Sequence, residues 1–321
     1  MSAIKIKENI IHIKNAEDLV TPYENIRAGF VQMALERNAR ATPYVTEARD
    51  LSAKIKDVKN ANELTKISGI NGALLTAAGV SDKAAGHLDE NGKSDAINQF
   101  IKNYLEPAGD KFAEELVYRF LLTRGDSLGG SMRNVVGILA QRRFSSMFMA
   151  RFHNAGLAFK FELYSQPRKW HDSTENLAIN SDEIKSFYWK GPKGNRVMSY
   201  NLKNPIVNKN IDMIIIDSSP ESVSEAIKNP CSYVLLGELK GGIDPAGADE
   251  HWKTATSALK RIRDGFNNLN CKPGLFFIGA AIEDSMSKEI WNLIQSGDLS
   301  NAANLTKDEH VTSLCEWLIS Q

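Results

Sequence analysis

The chain has 321 residues, of which 42% are hydrophobic and 24% charged, and its 39 basic and 39 acidic side chains give no net charge. This is the composition of an ordinary globular protein with room for two domains. The longest apolar runs, such as residues 275–282, are too short to cross a bilayer, and we expect neither a signal peptide nor a membrane partner. We interpret the three cysteines as buried thiols of a cytoplasmic protein, because their positions lack metal-ligand spacing: Cys231, Cys271 and Cys315.

The first part of the chain is predicted to be helical. Apolar residues recur at helical spacing over 25–37 and 110–122, and a long helix is predicted from 131 to 152. Pro43 and several glycines are expected to separate these helices.

Strand patterns follow. Residues 159–164 read as a strand, and 186–190 are predicted to pair with 196–200 across the turn 191–195. The remaining predicted elements are strands at 211–217, 233–240 and 275–282, and helices at 249–266, 288–296 and near the C terminus. Helices followed by a mixed sheet with a crossover helix predict an α/β protein, with a mainly helical domain (1–122) and an α/β domain (123–321).

Basic residues are concentrated between 119 and 169. Nine Lys or Arg residues in this stretch face only two acids, Asp126 and Glu162. Such a local excess is typical of a surface that binds a polyanion. The alternative is a solvated helix face balanced by acidic neighbours.

The strand 233–240 ends in the sequence Glu238-Leu239-Lys240, followed by two glycines. Residues two apart on a strand share a face, so Glu238 and Lys240 are predicted to project together. A carboxylate beside an ammonium suits metal-dependent phosphodiester hydrolysis, in which the carboxylate holds the cation and the ammonium orients or deprotonates a water.

A metal site needs a further carboxylate, and the strand 211–217 offers Asp212 and Asp217. Their separation is odd, so they point to opposite faces and at most one belongs to the site. We choose Asp212, which lies where a polar segment meets the buried run. A helix cap or Asx-turn explains Asp217.

Gly125-Asp126-Ser127-Leu128-Gly129 fits the G-x-S-x-G pattern of serine hydrolases and the GDSL motif of esterases. This pattern requires a preceding strand, whereas residues 113–122 have helical periodicity. A serine hydrolase that uses Ser127 is therefore an alternative function. A second alternative is a DNA-binding protein that does not cut, and the intact Asp212, Glu238 and Lys240 argue against it.

The spacing Asp212–Glu238-x-Lys240 resembles that of the PD-(D/E)xK nuclease superfamily, with Ile211 where the superfamily name implies proline. More specifically, the chain resembles the AvaI/BsoBI family of type II restriction endonucleases. The resemblance covers most of the chain and is poorest over 164–232. The segments that carry it are 237–255, 125–134, 277–283, 303–307, 81–83 and 105–109.

The resemblance implies a homodimer that cuts the palindromic site CYCGRG in duplex DNA with Mg²⁺, on a PD-(D/E)xK core. It implies that Asp212, Glu238 and the carbonyl of Leu239 bind the metal and that Lys240 organises the attacking water. His251 would be the general base, although the sequence alone favours a structural or DNA-contacting histidine.

The resemblance also implies DNA contacts. Asp244 would read base edges, and an aspartate can accept from cytosine N4, although a turn aspartate before proline explains it nearly as well. Lys83 would contact a base, although composition alone indicates a surface lysine. Arg133 and Asn134, at the predicted start of the long helix, would meet phosphates with the help of free helix amides. The expected biological partner is a methyltransferase that protects the same site without forming a stable complex.

Overall fold

The structure is a computed structural model that describes residues 12–174 and 181–321, except for the side chain of Arg133. These residues form two compact units. One unit is Val31–Asn134, and the other consists of residues up to Phe30 together with Val135–Gln321. The predicted boundary between residues 122 and 123 falls inside a long helix.

The unit Val31–Asn134 is helical. Its core contains Leu64, Leu74, Leu105 and Leu116, all fully buried. Short 3₁₀ or π turns lie at Glu17–Leu19, Ala61–Lys66, Ile101–Leu105 and Glu106–Lys111. The helices up to the sheet are α1 (Tyr23–Ile55), α2 (Asn71–Ala77), α3 (Asp82–Ala85), α4 (Glu90–Phe100) and α5 (Phe112–Asn154).

Two of these helices are longer than the sequence predicts. Helix α1 continues through Pro43, because a proline removes only one hydrogen bond of a 33-residue helix. Helix α5 begins at Phe112 and runs through Gly125, Gly129 and Gly130. Glycine lowers helix propensity by about 1 kcal/mol relative to alanine. The apolar side chains that span these glycines at helical spacing are nevertheless buried: Leu128, Met132 and Val135.

The second unit contains an eight-stranded mixed sheet with the strand order β2-β1-β3-β4-β5-β6-β7-β8. Neighbouring strands are antiparallel up to β6, and β6, β7 and β8 are parallel to one another. The strands are β1 (Phe159–Leu163), β2 (Gln166–Asp172), β3 (Ile184–Gly191), β4 (Gly194–Asn204), β5 (Lys209–Asp217), β6 (Tyr233–Lys240), β7 (Gly274–Gly279) and β8 (Asn301–Asn304). The remaining helices are α6 (Val223–Ala226), α7 (Pro245–Asn267), α8 (Asp284–Ser296) and α9 (Asp308–Ile319), with a 3₁₀ turn at Pro230–Ser232.

Alternating residues of the central strands send their side chains to two separate cores. Met213 and Ile215 of β5 pack with the second half of α5 and with α9. Ile214 and Ile216 pack on the other face, with α7 and α8. The unit is therefore a three-layer helix–sheet–helix arrangement, which confirms the predicted α/β fold with a mixed sheet after a helical region.

The hairpin prediction is confirmed, with Ser186 opposite Ser199 and Trp189 opposite Arg196. Strands β2 and β8 were not predicted. The first is a largely exposed edge strand that includes Pro167, and the second is a four-residue strand with asparagine at both ends. Neither has the apolar alternation from which strands are recognised in sequence.

The prediction of three free thiols is wrong for two of them. Cys231 and Cys271 form a disulfide with a Cα–Cα distance of 5.2 Å, whereas Cys315 is a buried thiol as predicted. The two bonded cysteines precede β6 and β7, and these strands begin side by side. Within the described ranges, no helix is both long enough and apolar enough to cross a membrane.

Candidate functional site

Asp212 of β5 and Glu238 of β6 lie on the face of the sheet that α7 covers. Alternate residues of a strand point to the same face, so Asp212 lies on the face of Ile214, and Glu238 and Lys240 lie on the face of Leu236. Ile214 and Leu236 belong to the same core as Trp252 of α7. Asp217 lies on the opposite face, as predicted. Its carboxylate lies 3.2 Å from the buried guanidinium of Arg196 on β4. An ion pair between strands therefore explains Asp217, rather than the expected cap or Asx-turn.

Asp212, Glu238 and Lys240 form one hydrogen-bonded cluster. Lys240 Nζ donates to Asp212 Oδ2 at 2.8 Å and to Glu238 Oε2 at 2.7 Å. The backbone N–H of Leu239 donates to the same oxygen of Asp212 at 3.0 Å. Leu239 lies beyond the last β5–β6 pair, Met213 and Gly237, so its amide is released from the ladder to bind the carboxylate.

The cluster shifts the proton affinities of its members. Burial and the adjacent charge of Asp212 raise the pKa of Glu238 from 4.5 to about 7, although Lys240 opposes the shift. Burial lowers the pKa of Lys240, but the charges of Glu238 and Asp212 outweigh this effect and raise it. Lys240 is therefore a stable cation, suited to orienting a water and unsuited to removing its proton.

The residues present fit a hard divalent cation. The carboxyl groups of Asp212 and Glu238 both accept hydrogen bonds from Lys240 Nζ, and a cation bound beside them would reduce the charge repulsion between them. No group of three or more His, Cys, Asp or Glu side chains is placed to hold a metal in the described part of the chain. Two carboxylates suffice for Mg²⁺, which usually keeps several waters.

The glycines around the cluster allow close packing. A Cβ atom on Gly237 would lie 2.3 Å from the ring of Phe276. A Cβ atom on Gly241 would lie 2.7 Å from the carbonyl oxygen of Val136 in α5. These backbone contacts fix the strand end, and the only signal for them in the sequence is the position of the glycines on either side of Glu-x-Lys.

His251 lies on α7 against the glycine loop. A Cβ atom on Gly242 would lie 2.8 Å from His251 Nε2. Asp244 in the same loop is the N-cap of α7 and accepts a hydrogen bond from the amide of Ala246 at 3.0 Å. Because an aspartate carries two acceptor oxygens, the capping bond leaves the exposed side chain able to accept another.

Of the predicted DNA contacts in the helical unit, Lys83 is exposed as composition indicates, whereas Arg133 and Asn134 do not begin a helix. Lys83 is an exposed residue of α3, and Asn134 is an exposed residue of α5. The side chain of Arg133 lies outside the described structure. Arg133 and Asn134 are in the middle of α5, not at its start, so the expected help from free helix amides is wrong.

Most residues of the basic stretch have acidic partners, so its excess of positive charge is smaller than the sequence indicates. This result favours the alternative of a balanced helix face. The pairs are Arg119–Glu115, Arg124–Asp82, Arg142–Asp182, Arg143–Asp308, Arg151–Glu316 and Lys160–Asp172.

Ser127 is an exposed residue in the middle of α5. A nucleophile elbow needs a strand–turn–helix junction that presents the serine above a sheet. The Gly125–Gly129 motif has no such geometry, and the serine hydrolase alternative is wrong.

Comparison with known proteins gives concordant matches. Residues 9–321 match the family described as restriction endonuclease BsobI. The type II restriction enzyme AvaI of Nostoc sp. is 50% identical over 309 residues, which cover 96% of this chain and 98% of that relative. The type II restriction enzyme BsoBI of Geobacillus stearothermophilus is 46% identical over 314 residues, which cover 96% and 97%.

Proposed function

This chain belongs to the BsobI family of restriction endonucleases, and on that premise we propose that it is a type II enzyme of the PD-(D/E)xK superfamily that hydrolyses phosphodiester bonds of duplex DNA. The observation that carries the assignment of the site is the hydrogen-bonded cluster of Asp212, Glu238 and Lys240. A non-cleaving DNA-binding protein would have no use for two carboxylates and an ammonium held in contact.

Asp212 and Glu238 would hold Mg²⁺, together with the backbone carbonyl of Leu239. The bound ion would act as a Lewis acid on the scissile phosphate and would make a water more acidic. Binding of the ion requires that Glu238 lose its proton. The pKa of Glu238 is raised in the absence of the ion, so a bound cation would favour the ionised carboxylate pair.

Lys240 would orient the attacking water and offset charge that develops on the phosphate, since it stays protonated beside the two carboxylates. His251 would accept the proton of that water. A neutral imidazole suits proton transfer near pH 7, and His251 lies against Gly242, two residues beyond Lys240.

For recognition we propose the palindromic site CYCGRG. Asp244 would accept a hydrogen bond from cytosine N4 in the major groove, from the loop that follows the cleavage site. Lys83 would contact a base, and Arg133 and Asn134 would contact phosphates. Residues of the basic stretch would contribute where phosphates replace their present acidic partners.

A homodimer would match the two-fold symmetry of such a site. Helix α1 supplies an apolar surface for this interface, because Val31 and Leu35 are four residues apart and are 56% and 67% exposed. The double variant Val31→Glu/Leu35→Glu should sediment as a monomer, whereas Leu269→Glu, at another exposed leucine, should not change the sedimentation. A dimer that persists in the double variant would contradict this interface.

We further propose that the enzyme acts in the cytoplasm, where a methyltransferase of the same specificity protects host DNA. That partner would act on the same site separately, without a stable complex.

Digestion of a sequenced plasmid in Mg²⁺ tests the function as a whole. Mapped ends should fall at a single short palindrome, and CYCGRG is the expected one. Discrete ends at another palindrome would contradict the proposed site but not the activity. Plasmid that is bound but intact in Mg²⁺ would contradict the assignment as a nuclease.

A further inference from the structure

The end of the Glu238–Lys240 strand is tied to residues that follow the neighbouring strand β7. The amide of Ala280 donates to the carbonyl of Lys240 at 2.9 Å, and the amide of Ala281 donates to that of Gly242 at 3.1 Å. Ala280 and Ala281 are both buried. The position of Lys240 and of the glycine loop therefore depends on where residues 280–282 are held.

A single hydroxyl group holds that segment from the other side. Thr21, which is 5% exposed, donates from Oγ1 to the carbonyl of Ala280 at 2.8 Å. The same oxygen accepts from the amide of Ile282 at 2.9 Å, and the amide of Thr21 donates to the carbonyl of Ile282 at 2.9 Å. Thr21 thus bridges the two residues on either side of Ala281.

Asn304, at the end of β8, fixes the hydroxyl of Thr21 in turn. Its Nδ2 donates to Thr21 Oγ1 and to the carbonyl of Leu19, both at 2.8 Å. Its Oδ1 accepts from the amide of Thr306 at 2.9 Å and from the hydroxyl of Thr306 at 2.7 Å. The side-chain amide group of Asn304 and the hydroxyl of Thr21 therefore use their full hydrogen-bonding capacity.

The same N-terminal segment also contacts the loop after Lys240 directly. A Cβ atom on Gly29 would lie 2.4 Å from the Ile243 side chain, so Ile243 packs directly against the backbone of α1. Residues 21–29 are thus linked to the strand end by a polar connection through residues 280–282 and to its loop by a direct apolar contact.

We propose that Thr21, oriented by Asn304, is a positioning residue that sets the location of Lys240 and of the glycine loop for DNA cleavage. This inference rests on the proposed function of the Asp212–Glu238–Lys240 cluster. Thr21 acts through the backbone of residues 280–282 and is not itself a catalytic residue. A Thr21→Val substitution keeps the shape but leaves the amide of Ile282 and one N–H of Asn304 without an acceptor.

Single-turnover cleavage of a cognate duplex tests the proposal, at a temperature where circular dichroism shows every variant folded. Thr21→Val should reduce the cleavage rate about ten- to a hundredfold, as expected for a small displacement of a reacting group. Its affinity for DNA without divalent ions should stay within about twofold of the wild type, because no DNA contact is removed. Thr21→Ser, which restores the hydroxyl, should recover most of the rate.

Thr76→Val is the matched control. Thr76 is 4% exposed, lies in the helical unit, and donates to the carbonyl of Gly72 at 3.0 Å. Thr76→Val should cleave at the wild-type rate while it is folded, even if its unfolding temperature is lower than that of the wild type. A wild-type rate for folded Thr21→Val, an equal loss in Thr76→Val, or no recovery in Thr21→Ser would overturn the proposal. If Thr21→Val does not fold, Thr21→Ala, which leaves room for a water at the same partners, takes its place.

Asp212→Asn in the same assay separates this proposal from the function on which it rests. If Asp212→Asn is inactive while Thr21→Val cleaves normally, only the positioning role fails. If Asp212→Asn cleaves normally, the assignment of the site itself fails.

Discussion

At the scale of single residues, the two aspartates of β5 offer a matched test of the site. Asp212 contacts Lys240 and the amide of Leu239, whereas Asp217 pairs with Arg196 on the opposite face. Asp212→Asn should reduce cleavage at least about a thousandfold, because it removes a charge of the proposed metal site without changing the shape of the side chain. Asp217→Asn should cleave at nearly the wild-type rate with some loss of thermal stability. The reverse result would place the site on the other face of the sheet.

Two residues at the site can each produce a fall in activity at acidic pH, and metal concentration distinguishes them. In the proposed site, protons would compete with Mg²⁺ for Glu238, whose pKa is raised by burial and by Asp212 to about 7. If this competition sets the acidic limb of the pH–rate profile, a tenfold increase in Mg²⁺ should move the limb down by about one pH unit. A limb that does not respond to Mg²⁺ and disappears in His251→Ala would identify the general base instead.

The sign of the Glu238 effect on stability is opposite to that of an ordinary surface carboxylate. Because its pKa is higher in the folded protein, metal-free protein should lose stability as pH rises from 4.5 to about 7 and Glu238 loses its proton. Addition of Mg²⁺ should reverse this loss, since the cation binds the deprotonated form. Thermal unfolding across this range, with and without the ion, measures both effects.

At the scale of elements, the end of β6 depends on close packing against α5. A Cβ atom on Gly241 would lie 2.5 Å from Ala140 Cβ, and a methyl group there must displace the loop or the helix. Gly241→Ala should therefore slow cleavage by at least about tenfold. Gly137→Ala is the control in the same helix, where a Cβ atom meets nothing within 4 Å. It should stabilise the protein by about 0.5–1 kcal/mol and leave cleavage unchanged. Equal rates for the two variants would show that the contact does not position the strand.

The elements that the sequence predicts well are those with strong periodicity. The strand 233–240 and the 186–200 hairpin are placed correctly because apolar alternation and turn residues agree. The start of α5 was predicted too late, because three glycines interrupt the helical spacing of apolar residues in the sequence. The helix continues through them in the structure, where Leu128 and Met132 are buried. Strand β8 was not predicted because two of its four residues are asparagines, although all four are buried, so the sequence lacks an apolar run there.

The alternation of side chains along a strand also explains which parts of the site could be predicted from the sequence. Alternation alone places Glu238 and Lys240 together and separates Asp212 from Asp217, and the structure has both features. The supports of the site could not be predicted in this way. Thr21 lies more than two hundred residues from Ala280 in sequence, and its hydroxyl contacts the backbone of residues 280–282, a contact for which no sequence pattern is a signal.

At the scale of the whole molecule, the half-buried His12 and the buried His310 join the first described residues to α9. His12 hydrogen-bonds through Nδ1 to Ser313 Oγ and through Nε2 to the carbonyl of Ala302, both at 2.8 Å. The ring of His310 lies 4.8 Å from that of His12, centroid to centroid. Burial lowers the pKa of both, and that of His310, which also faces His12 and Lys307, falls to about 3 although Asp18 opposes the shift.

This pair should make the fold sensitive to acid. A histidine whose pKa is lower in the folded state stabilises the protein fully above its unfolded pKa, near 6.5, and loses this contribution as pH falls toward the folded value. Between pH 7 and pH 4 the His310 contribution should decrease by about 3 kcal/mol. The backbone N–H of Asn304 donates to His310 Nδ1 at 3.4 Å, and the side-chain oxygen in His310→Asn can accept in its place. The unfolding free energy of this variant should therefore change less across this range. His87→Asn, at an exposed histidine, should keep the wild-type pH dependence. An unchanged slope in His310→Asn would mean that acid destabilises the protein through other groups.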